Sequence, residues 1–284
     1  MEFYTTAQPW GDKILVRGYQ NGRPYMRKVD FYPTLFVTSK SPSKFRTLDG
    51  QQVDEMKPGT IKETREFVKK YEDVAGFNVY GNTNYAYQYI SDTYSGDVNW
   101  DMEQIKVFTI DIETATESGF PDIRSASEEI LLITVKDLQS KKITTFGYSP
   151  TGSTFQNTRE DVTYNAYTTE LAMLKDFMIW WQANYPDIIT GWNTDFFDVP
   201  YLIRRISREL GESFAKKMSP WGIINVEEFN WYTDEVADQI AKIPTLKEVY
   251  LTGGEPFMVK GLHTFIQKLD RNVELRFNTN GTLK

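Results

Sequence analysis

Two short stretches concentrate the side chains of this chain that could do chemistry. Asp111 and Glu113 lie in Phe108-Thr-Ile-Asp111-Ile-Glu113-Thr114, and Asn193 and Asp198 lie in Thr190-Gly-Trp-Asn193-Thr-Asp-Phe-Phe-Asp198-Val-Pro-Tyr201. Residues 105 to 112 are rich in apolar and β-branched types and predict a buried strand with the two acids at its C-terminal end. Positions two apart on a strand share a face, so Asp111 and Glu113 point one way while Ile112 points into the core. Two adjacent carboxylates raise each other's proton affinity unless a cation lies between them. Their hard oxygens suit Mg²⁺ or Mn²⁺, and two such ions about 4 Å apart can activate a water and stabilise the leaving oxygen of a phosphodiester.

The second stretch supplies the remaining groups. Asp187 to Thr190 predicts another short strand, and Gly191-Trp-Asn193 its exit turn. Asp198 followed by Val199 and Pro200 predicts a helix N-cap with proline in the first turn, leading into the amphipathic run from Tyr201 to Leu210. A strand end would thus bring Asn193, and a helix start Asp198, to one crevice.

In this arrangement Asp-Ile-Glu followed by Thr-Gly-Trp-Asn-x-x-x-Phe-Asp-Val-Pro-Tyr resembles the first two motifs of the 3′→5′ proofreading exonuclease of family B DNA polymerases, in the form found in T-even-like phages. Phe31-Tyr-Pro-Thr-Leu-Phe36, Tyr89-Ile-Ser-Asp-Thr-Tyr94, Leu210-Gly-Glu-Ser213 and Met218-Ser-Pro220 are similar to the same polymerases and stand in the same order, so the likeness covers roughly residues 1 to 225. The resemblance implies that Asp111 and Asp198 are metal ligands, and that Glu113 is a ligand that also orients the attacking water. It implies further that Asn193 positions the substrate, a single-stranded 3′ end of DNA, and that Phe120 stacks on the terminal base. A sliding clamp becomes a possible partner of a full-length polymerase, and the host cytoplasm the expected location.

Three segments must position these groups. Residues 1–102 are expected to form the polymerase N-terminal domain, mixing strands at Lys13 to Tyr19 and Thr34 to Thr38 with a helix from Thr60 to Tyr71. Residues 103–225 predict strands over 105–113, Glu129 to Asp137 and Lys142 to Tyr148, a helix from Glu170 to Asn184, a strand over 187–190 and a helix over 199–210. That order suits an α/β domain, α+β overall, with a mixed sheet covered by helices of the ribonuclease H-like kind. Leu171, Leu174, Met178 and Trp181 are expected on the packed stripe of the first helix.

Residues 226–284 depart from the family pattern. A third exonuclease motif, Tyr-x-x-x-Asp, is expected after Asp198, and no residue there supplies it. Instead, Glu248-Val-Tyr-Leu-Thr-Gly-Gly-Glu255-Pro256 and Glu274-Leu-Arg-Phe-Asn-Thr-Asn-Gly-Thr282 resemble two strands of a radical S-adenosylmethionine enzyme barrel. By that resemblance Gly253, Gly254 and Glu255 would contact the cofactor's amino group. The chain has no cysteine to hold an iron–sulfur cluster, so the segment is read as a strand–helix–strand appendage beyond a junction near residue 226. His263, the only histidine, is expected on a helix surface.

Composition bounds the alternatives. With 40% hydrophobic residues among 284, the chain can bury a large core, and no apolar stretch approaches a membrane span. Net charge is −7, but the excess is local: residues 101 to 225 hold 18 acids against 12 bases, where the metal carboxylates are expected. A site that grips a 3′ end through metal ions needs no basic stripe. The expected activity is therefore exonucleolytic, weakened by the missing third motif. A radical-enzyme fragment and a non-catalytic DNA- or protein-binding module are the alternatives.

Overall fold

The computed structural model describes residues 2–115, 121–152, 157–225, 238–240, 242–243, 246–251, 262–269 and 273–277. The chain divides into two compact units, residues 1–105 and 106–284.

The first unit holds two antiparallel sheets. One is the meander β1 (Glu2–Trp10), β2 (Lys13–Gln20) and β3 (Arg23–Asp30). The other runs in the order β5, β6, β4, β7, from Phe45–Arg46, Gln52–Met56, Leu35–Thr38 and Val79–Tyr80. Helix α1 (Ile61–Tyr71) starts at a capping box in which the Thr60 hydroxyl accepts from the Glu63 N–H and the Glu63 carboxylate accepts from the Thr60 N–H. In helix α2 (Tyr85–Thr93), Tyr85 and Tyr89 bury against Ile14, Val16, Phe31 and Ile61.

The second unit is built on a mixed five-stranded sheet in the order β11, β10, β9, β8, β12. Its members are β8 (Val107–Thr114), β9 (Ile130–Asp137), β10 (Ile143–Tyr148), β11 (Val162–Tyr167) and β12 (Ile188–Thr190). The strands β8, β9 and β10 run antiparallel in succession, while β11 and β12 pair parallel with β10 and β8. The edge strand β11 was not evident in the sequence, because Val-Thr-Tyr-Asn-Ala-Tyr mixes apolar and polar residues and is at most half-buried on either face.

Helices α3 (Glu170–Asn184) and α4 (Asp198–Leu210) close one core with the sheet. Phe108, Ile110 and Ile112 of β8 meet Leu174, Phe177, Met178 and Trp181 of α3 and Leu202 and Ile206 of α4 in that cluster. The buried stripe of α3 runs through Glu170, Met173, Leu174, Phe177, Met178 and Trp181. Leu171 corrects the expected stripe: it lies in the first turn at the stripe's margin and is 41% exposed. The Trp181 indole N–H donates to the Met218 carbonyl at 2.9 Å, tying α3 to the short helices that follow α4, α5 (Glu212–Ala215) and a 3₁₀ turn (Lys216–Met218). Gly211, at φ 92°, ends α4 in the left-handed region that a side chain would disfavour.

Near the C-terminus, β13 (Glu248–Leu251) and β14 (Glu274–Phe277) pair in parallel beside helix α6 (Leu262–Lys268). Phe265 and Leu269 pack there against Val249 and Leu275. His263 is exposed on α6, with its Nε2 2.8 Å from the Gln267 amide nitrogen.

Candidate active site

The site begins with the alternation of β8. Phe108, Ile110 and Ile112 are buried, whereas Asp111 and Glu113 are exposed on the opposite face. The register with β9 shifts between Glu113 and Thr114, a bulge of the kind that re-aims side chains at strand ends.

The length of β12 decides what happens next. Its three residues pair with Val107, Phe108 and Thr109 and stop there, while β8 continues for five residues to Thr114. Along β8 the even-numbered backbone groups face β12, as the bond from the Ile188 N–H to the Lys106 carbonyl shows. Beyond Thr190 that edge of β8 has no strand beside it, and a buried N–H there needs another acceptor. Asp198 provides it: Oδ1 accepts the Ile112 N–H at 3.0 Å. A single hydrogen bond thus sets the Asp198 carboxylate against the peptide that lies between Asp111 and Glu113.

Asp198 is not the helix N-cap that its sequence context predicts. The cap position is Phe197, without a side-chain cap bond, and Asp198 is the first residue of α4. Its carboxylate reaches the unpaired β8 edge through Oδ1. It is 4% exposed. Burial raises its pKa above the ordinary carboxylate value; the Ile112 N–H opposes that, and the negative charges of Asp111 and Glu113 add to it.

Asn193 sits in the turn that carries the chain from β12 to α4. Its φ of 59° is left-handed, which asparagine tolerates, and its carbonyl accepts the N–H groups of Phe196 and Phe197. The same turn encloses an open hollow of about 270 Å³ lined by Ile189, Thr190, Gly191, Asn193, Thr194, Asp195 and Phe196. Asp111, Glu113 and Asp198 do not line this hollow. Gly191 packs so closely that a Cβ there would lie 2.0 Å from the Thr194 hydroxyl and 2.8 Å from the Ile110 carbonyl oxygen. Thr194 is 4% exposed, and its hydroxyl has no hydrogen-bond partner among the described residues. Nothing in the sequence distinguished Thr194, whose burial depends on the close approach of Gly191.

The three carboxylates are neighbours, yet among the described residues no group of three His, Cys, Asp or Glu side chains stands in metal-ligating geometry. Asp111 and Glu113 turn outward on β8 while Asp198 is held at its edge. Phe120, Gly253, Gly254 and Glu255 lie outside the described residues.

Sequence reading also missed a buried ion pair. Glu170 and Arg205, with side chains 6% exposed, meet through two bonds of 2.9 and 2.6 Å. The Glu170 carboxylate additionally accepts the Ile130 N–H at 2.8 Å, and Arg205 donates to the carbonyls of Ala126 and Ser127. A glutamate in a first helical turn and an arginine within an amphipathic run each read as surface residues, so no local signal marks the pair.

A mixed sheet with two acids at the end of β8, and a third delivered by the helix that follows the neighbouring β12, defines an α/β domain with an acidic strand-end site. Residues 70–244 match the exonuclease domain of DNA polymerase family B, and the chain belongs to that family. It is 31% identical over 243 residues to the DNA-directed DNA polymerase of Enterobacteria phage T4, covering 78% of this chain and 27% of that protein. It is 29% identical over 243 residues to the DNA-directed DNA polymerase of Escherichia phage RB69, covering 77% of this chain and 27% of that protein. The chain thus spans about a quarter of the length of these relatives. The family match runs on to residue 244, past the change of family expected near residue 226, and no likeness found extends to a radical S-adenosylmethionine enzyme. Among the described residues, no helix is long and apolar enough to cross a membrane.

Proposed function

We propose that this chain carries the proofreading exonuclease of a family B replicative polymerase, removing nucleotides from a single-stranded 3′ end of DNA, on a ribonuclease H-like domain. The observation that carries the reading is the Asp198 carboxylate bound to the Ile112 N–H. It joins the second motif to the first through the peptide between Asp111 and Glu113.

Asp111, Glu113 and Asp198 fit a pair of Mg²⁺ or Mn²⁺ ions in donor chemistry, since all three offer hard carboxylate oxygens. Burial first, and the charges of Asp111 and Glu113 after it, raise the proton affinity of Asp198, and a cation bound among the three acids would oppose that shift. Bound ions would lower the pKa of a coordinated water and stabilise the leaving 3′ oxygen. In this reading Asp111 and Asp198 are ligands, and Glu113 is a ligand that orients the attacking water. Asn193 positions the substrate, with its backbone already held in the exit turn of β12. Phe120 stacks on the terminal base, a contact worth about 1–3 kcal/mol.

These 284 residues hold no Tyr-x-x-x-Asp after Asp198, the motif that in the family pattern adds a carboxylate and a water-positioning tyrosine. The purified polypeptide is expected to cleave single-stranded oligonucleotides far more slowly than a complete site would, with Mn²⁺ supporting more turnover than Mg²⁺ because it binds such oxygens more tightly. The test is time-resolved digestion of a 5′-labelled oligonucleotide in each metal, with Asp111→Ala alongside. Stepwise shortening that Asp111→Ala abolishes supports the reading. Binding of the oligonucleotide with no shortening in either metal would favour a non-catalytic DNA-binding module instead.

A further inference from the structure

The excursion between β8 and β9 leaves the sheet at Ala115, whose N–H bonds to the Glu129 carbonyl at the point where the chain returns. Its returning half, residues 121–128, has little regular structure: Asp122 accepts the N–H groups of Arg124, Ser125 and Ala126 within it, and one helix takes most of its carbonyls. From α4, Arg204 donates to the Ile123 carbonyl, Arg208 to Ser125, Arg205 to both Ala126 and Ser127, and the Tyr201 hydroxyl to Glu128. Five carbonyls of a six-residue stretch therefore turn toward α4. Within it, Ala126 is fully buried and left-handed at φ 41°, a conformation that costs a residue with a Cβ and persists only where its surroundings impose it.

Arg205 is the centre of this arrangement. Two of its nitrogens are committed to Glu170, and the third reaches both carbonyls at distances of 3.1 and 2.8 Å. Glu170 in turn accepts the first N–H of β9. Asp198, Tyr201 and Arg205 share the buried face of α4, so the helix that seats Asp198 on the acidic strand end is also the one that fixes the segment.

We propose that Arg205, clamped by Glu170, is a positioning residue that locks residues 121–128 to α4 and so holds that segment in register with Asp111, Glu113 and Asp198. The proposal rests on the exonuclease reading for what is being positioned, but the locking is measurable without catalysis. A buried ion pair often adds little to stability compared with a neutral pair of similar shape. Its contribution here is geometric: lysine can keep the charge opposite Glu170, but it lacks the planar fork needed to reach two carbonyls as well.

Two variants of the full chain test this, Arg205→Lys and the neutral double variant Arg205→Met with Glu170→Gln, each compared with the wild type at matched distance below its own Tm. Hydrogen exchange is followed at the amides of residues 122–128 and at Ile133 and Val135 in β9. The expected result is exchange at least about tenfold faster at 122–128 with β9 unchanged. Cleavage of a 5′-labelled oligonucleotide should fall by about tenfold to a hundredfold in kcat with little change in KM. Exchange that accelerates equally at both places, or at neither, overturns the proposal and leaves the pair a plain stability element. If the wild type neither binds nor cleaves the oligonucleotide, the nuclease reading fails, and the exchange pattern alone still decides whether Arg205 locks the segment. Should the double variant not fold, Arg205→Lys carries the same comparison.

Discussion

Replacing Gly191 with alanine probes the construction of the site at its tightest point. The added Cβ would stand 2.0 Å from the Thr194 hydroxyl and 2.8 Å from the Ile110 carbonyl oxygen. The hydroxyl can be displaced by turning a side chain, but the carbonyl belongs to the backbone of β8, so the exit of β12 must move outward. Overpacking of this kind costs about 1–3 kcal/mol, which corresponds to a fall of about 2–12 °C in Tm for a domain of this size. The displaced turn carries Asn193 and leads directly into Asp198, and a shift of an ångström there is worth about a hundredfold in cleavage rate. Thermal unfolding followed by circular dichroism measures the first effect, and oligonucleotide digestion the second. Gly191→Ala combined with Thr194→Ala should regain part of the lost Tm, because one of the two close contacts is then gone. The reasoning is refuted if Gly191→Ala melts within about 1 °C of the wild type, or if the double variant is no better than the single one.

Two further substitutions bear on the charge of the site and on the core. Burial and the charges of Asp111 and Glu113 raise the Asp198 pKa, so the folded protein binds a proton there more readily than the unfolded chain. Stability from this group is therefore lost as pH rises through the unfolded value and on through the folded one. Asp198→Asn keeps an acceptor for the Ile112 N–H and removes the charge, so it should melt above the wild type at pH 7, with the gap closing as pH falls toward about 4. A gap that widens on acidification would contradict that sign; added Mg²⁺ should stabilise the wild type and leave Asp198→Asn unmoved. Trp181→Phe keeps most of the apolar contact but leaves the Met218 carbonyl without its donor. A loss of about 1–3 kcal/mol, seen as a drop of roughly 2–4 °C per kcal/mol in Tm, is expected, and an unchanged Tm would mean that water replaces the indole N–H.

Much of this protein was legible along the chain because the signals are local. Helix α3 spans Glu170–Asn184 as its pattern predicts, starting where the Thr169 hydroxyl caps the Ala172 N–H. The alternation of β8 separates Asp111 and Glu113 from Ile110 and Ile112, as a strand with one buried face requires. The helix expected from Thr60 to Tyr71 and the exit turn expected at Gly191-Trp-Asn193 are found as α1 and as the turn after β12, each set by residues within a few positions of one another. What only the tertiary structure decided is non-local. Asp198 reads as a cap until the early end of β12 leaves the Ile112 N–H without a strand partner, at a separation of 86 residues. Glu170 and Arg205 read as surface charges until the β8–β9 excursion folds back and supplies carbonyls that must be satisfied away from water. Backbone periodicity tells which way a side chain points. Which buried donor or acceptor it must then satisfy depends on where the neighbouring strands stop, and local sequence does not carry that information.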